Sequence, residues 1–104
     1  MARRTRGVYD IEYTRRAVGQ LRWLRRHDRT AYGRVVDAIE ARLTHQPAVR
    51  DRNRFPTREG GEAAWELRVQ PYRVYYDPDE AARTVTVVSI FEKPRETAMP
   101  VPED

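Results

Sequence analysis

"WELRVQPYRVYYD", residues 65–77, alternates apolar and polar side chains on both sides of Gln70-Pro71 and reads as two strands joined by a tight turn. A two-residue connection sets Val69 opposite Tyr72, Arg68 opposite Arg73, Leu67 opposite Val74, Glu66 opposite Tyr75 and Trp65 opposite Tyr76. One face then holds Trp65, Leu67, Val69, Tyr72, Val74 and Tyr76, a set suited to packing beneath helices. The other face holds Glu66, Arg68, Arg73 and Tyr75. Proline is awkward at the second position of such a turn, so a longer, symmetric loop with the same pairing stays open. Like charges directly opposite across a ladder are unfavourable. The two facing arginines are costly as structure and sensible if an anion sits between them.

The flanking sequence supplies what covers this hairpin. "VYDIEY", residues 8–13, alternates as a strand with Tyr9, Ile11 and Tyr13 on its buried face. Thr14 stands where a helix N-cap belongs, ahead of a helix with Ala17, Leu21 and Leu24 on one side and five arginines around the rest. Asp28 or Thr30 caps a second helix, whose apolar stripe is Tyr32, Val35, Val36, Ile39 and Leu43 and which Pro47 stops. So short a link makes the pair an antiparallel helical hairpin. Residues 47–63 have no clear period and read as a long loop, functional or mobile. "TVTVVSIF" is apolar on both faces from Val87 onward, as a central strand would be. The order is β-α-α-β-β-β, an α+β fold with the helical hairpin on one face of a mostly antiparallel sheet. The first strand is expected beside the last or at an edge. The whole chain, 1–104, reads as a single domain, with residues 1–7 and 97–104 as flexible tails.

Composition narrows the chemistry. The chain has no cysteine, hence no disulfide framework, thiolate nucleophile or thiolate metal site. His27 and His45 are isolated near predicted helix ends, where the dipole favours a cation, and no ligand spacing points to a metal or other cofactor. No stretch matches a signal peptide or a membrane span, so a cytoplasmic location is expected. Of the 20 basic residues only Lys93 is lysine. Residues 1–58 carry a net charge of +9 and residues 59–104 a net of −5. A basic front half joined to an acidic back half suggests a polyanion or an acidic partner, against the plainer reading of a solvated basic surface.

The polar hairpin face is a workable set for cleaving RNA without a metal. Attack of a ribose 2′-hydroxyl on the adjacent phosphate needs a base, cations for the phosphorane and an acid for the leaving oxygen. Arg73 and Arg68 suit the phosphate, and Glu66 and Tyr75 suit proton transfer. The plainer alternative is an exposed sheet face on which Glu66 neutralises one arginine diagonally. Arg50, Arg52, Arg54 and Arg58 of the long loop are candidates for phosphate contacts that ignore sequence. Trp23, off the buried stripe of its helix, is either a partly buried side chain or a contact surface.

Taken together, "ARLTHQPAVRDRNR", "WELRVQPYRVYYD" and "VTVVSIFEKPRE" resemble the RelE/ParE toxins of bacterial toxin–antitoxin modules, over about residues 8–95. The resemblance implies a RelE-like fold and an antitoxin partner in a hetero-oligomer. It also implies one of two activities: cleavage of mRNA on the ribosome, as in RelE-like members, or poisoning of DNA gyrase, as in ParE-like ones. On the RelE-like reading Arg73 is the strand arginine at the scissile phosphate and Arg68 a second basic strand position. Lys93 and Arg95 fall where further phosphate contacts lie. Glu66 stands where ribosome-dependent members often carry lysine, although some ribonuclease relatives use a glutamate base. No histidine or tyrosine follows the last strand. A degenerate member that only binds antitoxin or nucleic acid is therefore a third expectation.

Overall fold

The computed structural model describes residues 8–57, 63–92 and 97–98. In chain order these form β1 (Asp10–Tyr13), α1 (Arg15–His27), α2 (Arg29–Leu43), β2 (Arg54–Pro56), β3 (Trp65–Val69), β4 (Tyr72–Asp79), β5 (Thr84–Glu92) and β6 (Thr97–Ala98). The sheet order is β1-β5-β4-β3-β2, with β6 also paired to β5. Only the β1–β5 pairing is parallel among the described strands. The α+β arrangement expected from sequence is the one observed, with β1 both beside the last long strand and at the edge.

Local chemistry sets the helix ends. The Thr14 side chain accepts the Ala17 N–H at 3.0 Å, which starts α1. Asp28 closes α1 with its own N–H on the Leu24 carbonyl and opens α2 by accepting the Ala31 N–H. A single residue therefore joins the helices. Ala17, Leu21 and Leu24 of α1 pack with Ala31, Val35, Ile39 and Leu43 of α2 over Leu67, Tyr72, Val74, Tyr76, Val85, Val87 and Ile90 of the sheet. The expected stripe on α2 is thus buried along Val35, Ile39 and Leu43, while Tyr32 and Val36 are half-buried at its margin. Among the described residues no helix is long and apolar enough to cross a membrane.

Three details depart from the sequence reading. The long loop contains β2, which pairs with β3 and sets Phe55 opposite Glu66. Residues 97–98, expected in a flexible tail, pair with β5. On β5 the pairing steps from Tyr75–Ser89 to Tyr76–Val87, which leaves Val88 as an extra residue. That bulge shifts the alternation by one, so Val85, Val87 and Ile90 all point to the core. The apolar run of β5 thus includes a phase change at Val88, with Val87 and Ile90 towards the helices and Phe91 on the opposite face.

The same stretch of β5 explains a buried polar side chain. Between the end of β1 and the start of β6, the β5 backbone has no strand neighbour on that edge among the described residues. Thr14 bridges the gap, donating its N–H to the Val87 carbonyl and its hydroxyl to the Val88 carbonyl at 2.7 Å. Gln20, fully buried on α1, accepts the Ile90 N–H at 2.8 Å. The N-cap of α1 and one of its side chains thus complete backbone pairing that burial would otherwise make costly.

Candidate functional site

The hairpin register is the one expected, with Arg68 opposite Arg73 and Val69 opposite Tyr72 across a cis Gln70–Pro71 bond. Arg34 of α2 donates to the Gln70 carbonyl and ties the turn to the helices. Leu67, Val74 and Tyr76 are completely buried, so the alternation leaves Glu66, Arg68, Arg73 and Tyr75 on the face away from the helices.

Glu66 is the centre of that face. One of its carboxylate oxygens, Oε2, accepts from Arg73 Nη1 at 2.8 Å and lies 3.5 Å from Arg68 Nε. The contact to Arg73 is the cross-strand diagonal and the one to Arg68 runs two residues along β3. The glutamate answers both cations, where the sequence reading offered it one. Its side chain is 12% exposed, against 20% for Arg73 and 37% for Arg68. Two guanidiniums and one carboxylate leave the cluster a formal charge of +1, largely shielded from solvent and most accessible at Arg68.

Aromatic rings flank the cluster. The Arg68 guanidinium carbon lies 4.4 Å from the centroid of the Phe55 ring, a cation–π distance. Tyr75 meets Phe91 edge-on at 5.4 Å, and Arg16 lies 5.8 Å from the same Phe91 ring. Phe55 and Phe91 were not singled out by sequence reasoning. Their register positions, opposite Glu66 and opposite Arg73, were the signal that could have found them.

The loop arginines divide. Arg50 and Arg52 are exposed. Arg54 is turned inward: Nε and Nη2 bond Asp51 Oδ2, and Nη1 donates to the carbonyls of Arg42 at 3.0 Å and Gln46 at 2.6 Å. The Arg42 carbonyl belongs to the last turn of α2, where helix carbonyls lack intrahelical partners, and the Gln46 carbonyl lies just beyond it. Arg54 therefore pins the end of α2 to β2, and its side chain is only 12% exposed. The Arg54 hydrogen bond holds the Asp51 carboxyl well below its usual range, at about 2. Tyr76 completes this corner by donating its hydroxyl to the Pro47 carbonyl at 2.5 Å, and burial raises its pKa. Arg58, Lys93 and Arg95 lie outside the described residues.

Other features sit apart from the cluster. His27 bonds the Trp23 carbonyl through Nδ1 at 2.8 Å and stacks on the Trp23 ring at 4.1 Å, which closes the last turn of α1. A groove of about 370 Å³ runs between the helices and is lined by Tyr13, Val18, Leu21 and Val36 with Arg22 and Glu40 at its rim. Burial raises the Tyr13 pKa there, with Glu40 adding to the effect. Among the described residues no group of His, Asp and Glu side chains is placed to hold a metal ion.

Residues 11–95 match the family model for the ParE toxin of type II toxin–antitoxin systems, parDE. No curated protein matches the chain. Among solved structures, a chain of the toxin–antitoxin complex RelBE2 from Mycobacterium tuberculosis shares the fold with a TM-score of 0.71. That alignment covers 86% of this chain and 95% of the other at 21% sequence identity.

Proposed function

The chain belongs to the ParE toxin family, within the RelE/ParE toxins of type II toxin–antitoxin systems, and from that premise we propose that it is an mRNA endoribonuclease acting at the ribosome. The observation that carries the reading is the single Glu66 oxygen shared by Arg73 and Arg68. Two cations converge on one point of an open sheet face, the geometry a phosphate needs. In the free protein Glu66 takes that place. An entering phosphodiester takes over the arginines and releases the carboxylate.

The chemistry then runs without a metal. The ribose 2′-oxygen attacks the adjacent phosphorus while its proton passes to Glu66. Arg73 and Arg68 carry the added negative charge of the phosphorane. The bond from phosphorus to the 5′-oxygen breaks, that oxygen takes a proton, and a 2′,3′-cyclic phosphate is left. Tyr75, on the same face, is the proton donor we assign. Arg50 and Arg52, with Arg58, Lys93 and Arg95, supply sequence-blind phosphate contacts. Arg54 is left out of this set because its donors hold the end of α2. The partner that silences the toxin is an antitoxin segment with acidic side chains that complement the basic surface.

Gyrase inhibition is the second reading, favoured by the ParE family model and by a Glu66 already engaged by both arginines. Purified toxin is added in parallel to a translation extract and to a gyrase supercoiling reaction. The ribonuclease reading expects new mRNA 5′ ends with supercoiling intact. Blocked supercoiling with intact mRNA would replace it by the gyrase reading. Neither effect would leave a member that only binds antitoxin or nucleic acid.

A further inference from the structure

The outer sheet face carries more than charge. Two phenylalanines bracket the Glu66–Arg73 pair, Phe55 on β2 and Phe91 on β5, and each has a guanidinium near its ring. Polar side chains are the ordinary occupants of the solvated face of an antiparallel sheet. Arg68 is the more telling of the two cations. The Phe55 ring lies 4.4 Å from its guanidinium and Glu66 steadies its Nε, yet it remains the most exposed member of the cluster. A guanidinium held in place on one side by an aromatic ring offers its other planar face to a nucleobase.

We propose that Phe55 and Arg68 form a base-stacking platform for single-stranded nucleic acid, with the neighbouring phosphate held at Arg73. Phe91, with Arg16 and the edge-on Tyr75, forms the opposite flank. The strand spacing places the flanks three strands apart, about 14 Å, with the phosphate site between them. The strand therefore runs across the sheet from β2 to β5. Stacking tolerates any base, so the platform adds affinity without a sequence preference. The inference rests on the nucleic-acid reading of this face and names the ligand as an unpaired strand, not a duplex.

The test is binding of a fluorescein-labelled six-nucleotide RNA, made uncleavable by 2′-O-methylation, to the full chain. A DNA strand of the same sequence and an RNA with abasic sites are run beside it. Phe55→Leu, which keeps bulk and loses the aromatic face, should weaken RNA binding roughly 5- to 50-fold. It should leave binding of the abasic strand unchanged. Arg68→Lys, which keeps charge and loses the plane, should lose more affinity for the normal strand than for the abasic one, and Phe55→Tyr should restore affinity. Comparable losses on RNA and DNA assign the platform to single strands in general; a loss on RNA alone assigns it to RNA. Equal loss on normal and abasic strands overturns the proposal, as does wild-type binding by a folded Phe55→Leu or no binding of any strand by the wild type. Selective loss in a protein that cuts no mRNA would keep the platform and remove the nuclease reading.

Discussion

On β2 a single guanidinium, Arg54, is met by a carboxylate and two backbone carbonyls, whereas on β3 and β4 two guanidiniums share one oxygen of Glu66. Both clusters consist of arginine and carboxylate, and they sit on opposite faces of neighbouring strands. The first is closed: its acceptors come from the protein, and they fasten a helix end to a sheet edge. The second has more cation than anion, set across a ladder where like charges repel. The same chemistry is structural where the protein completes it, and on the proposed reading it is functional where a ligand must. A basic residue count would have ranked the two alike.

The largest contrast should come from truncating one arginine of each cluster. Arg54→Ala strips the side-chain donors from Asp51 Oδ2 and from the Arg42 and Gln46 carbonyls, and chemical denaturation should show a loss of about 2–3 kcal/mol. Arg73→Ala removes one of two facing cations and leaves Glu66 its contact with Arg68, so as the loss of one cross-strand pair it should cost about 1 kcal/mol or less. Equal losses would erase the distinction between the clusters. Next in size, Tyr76→Phe strips the donor from the buried Pro47 carbonyl in the closed corner and should cost about 1–2 kcal/mol by the same measurement.

Acid probes the closed cluster. The Asp51 carboxyl is held at about 2, below its unfolded value, so its stabilising effect is complete above about pH 4. That contribution is lost as pH falls from about 4 towards 2. Stability measured over that window should fall less steeply in Asp51→Asn than in the wild type. The smallest effect belongs to the open cluster. Glu66→Gln removes the internal anion, and affinity for an uncleavable RNA should rise about 5-fold while cleavage falls. Unchanged affinity would mean that the carboxylate does not stand where a phosphate binds.

These two clusters also mark what the sequence disclosed. The hairpin register was legible because apolar side chains alternate on each side of Gln70-Pro71, from Trp65 to Val69 and from Tyr72 to Tyr76, and a one-residue slip would turn one strand's set outward. The helix starts were legible from Thr14 and Asp28, whose side chains act within one turn. Arg54 was not, because nothing local separates it from Arg50 and Arg52; its partners lie at the end of α2 and in the loop. Gln20 was hidden for the same reason, since its partner, the Ile90 N–H, is 70 residues away. The Val88 bulge looked like continuous apolarity until pairing with β4 gave its phase. At the site, Glu66 was seen as a partner for one arginine, and only side-chain packing placed it between two.

Mapping mRNA 5′ ends in a translation extract with wild-type and Arg73→Ala protein tests the central claim most directly. The wild type should generate new ends, and Arg73→Ala, folded to near wild-type stability, should cut about 10²- to 10³-fold more slowly. Cleavage by Arg73→Ala at the wild-type rate would contradict the assignment of the open cluster as the reactive site.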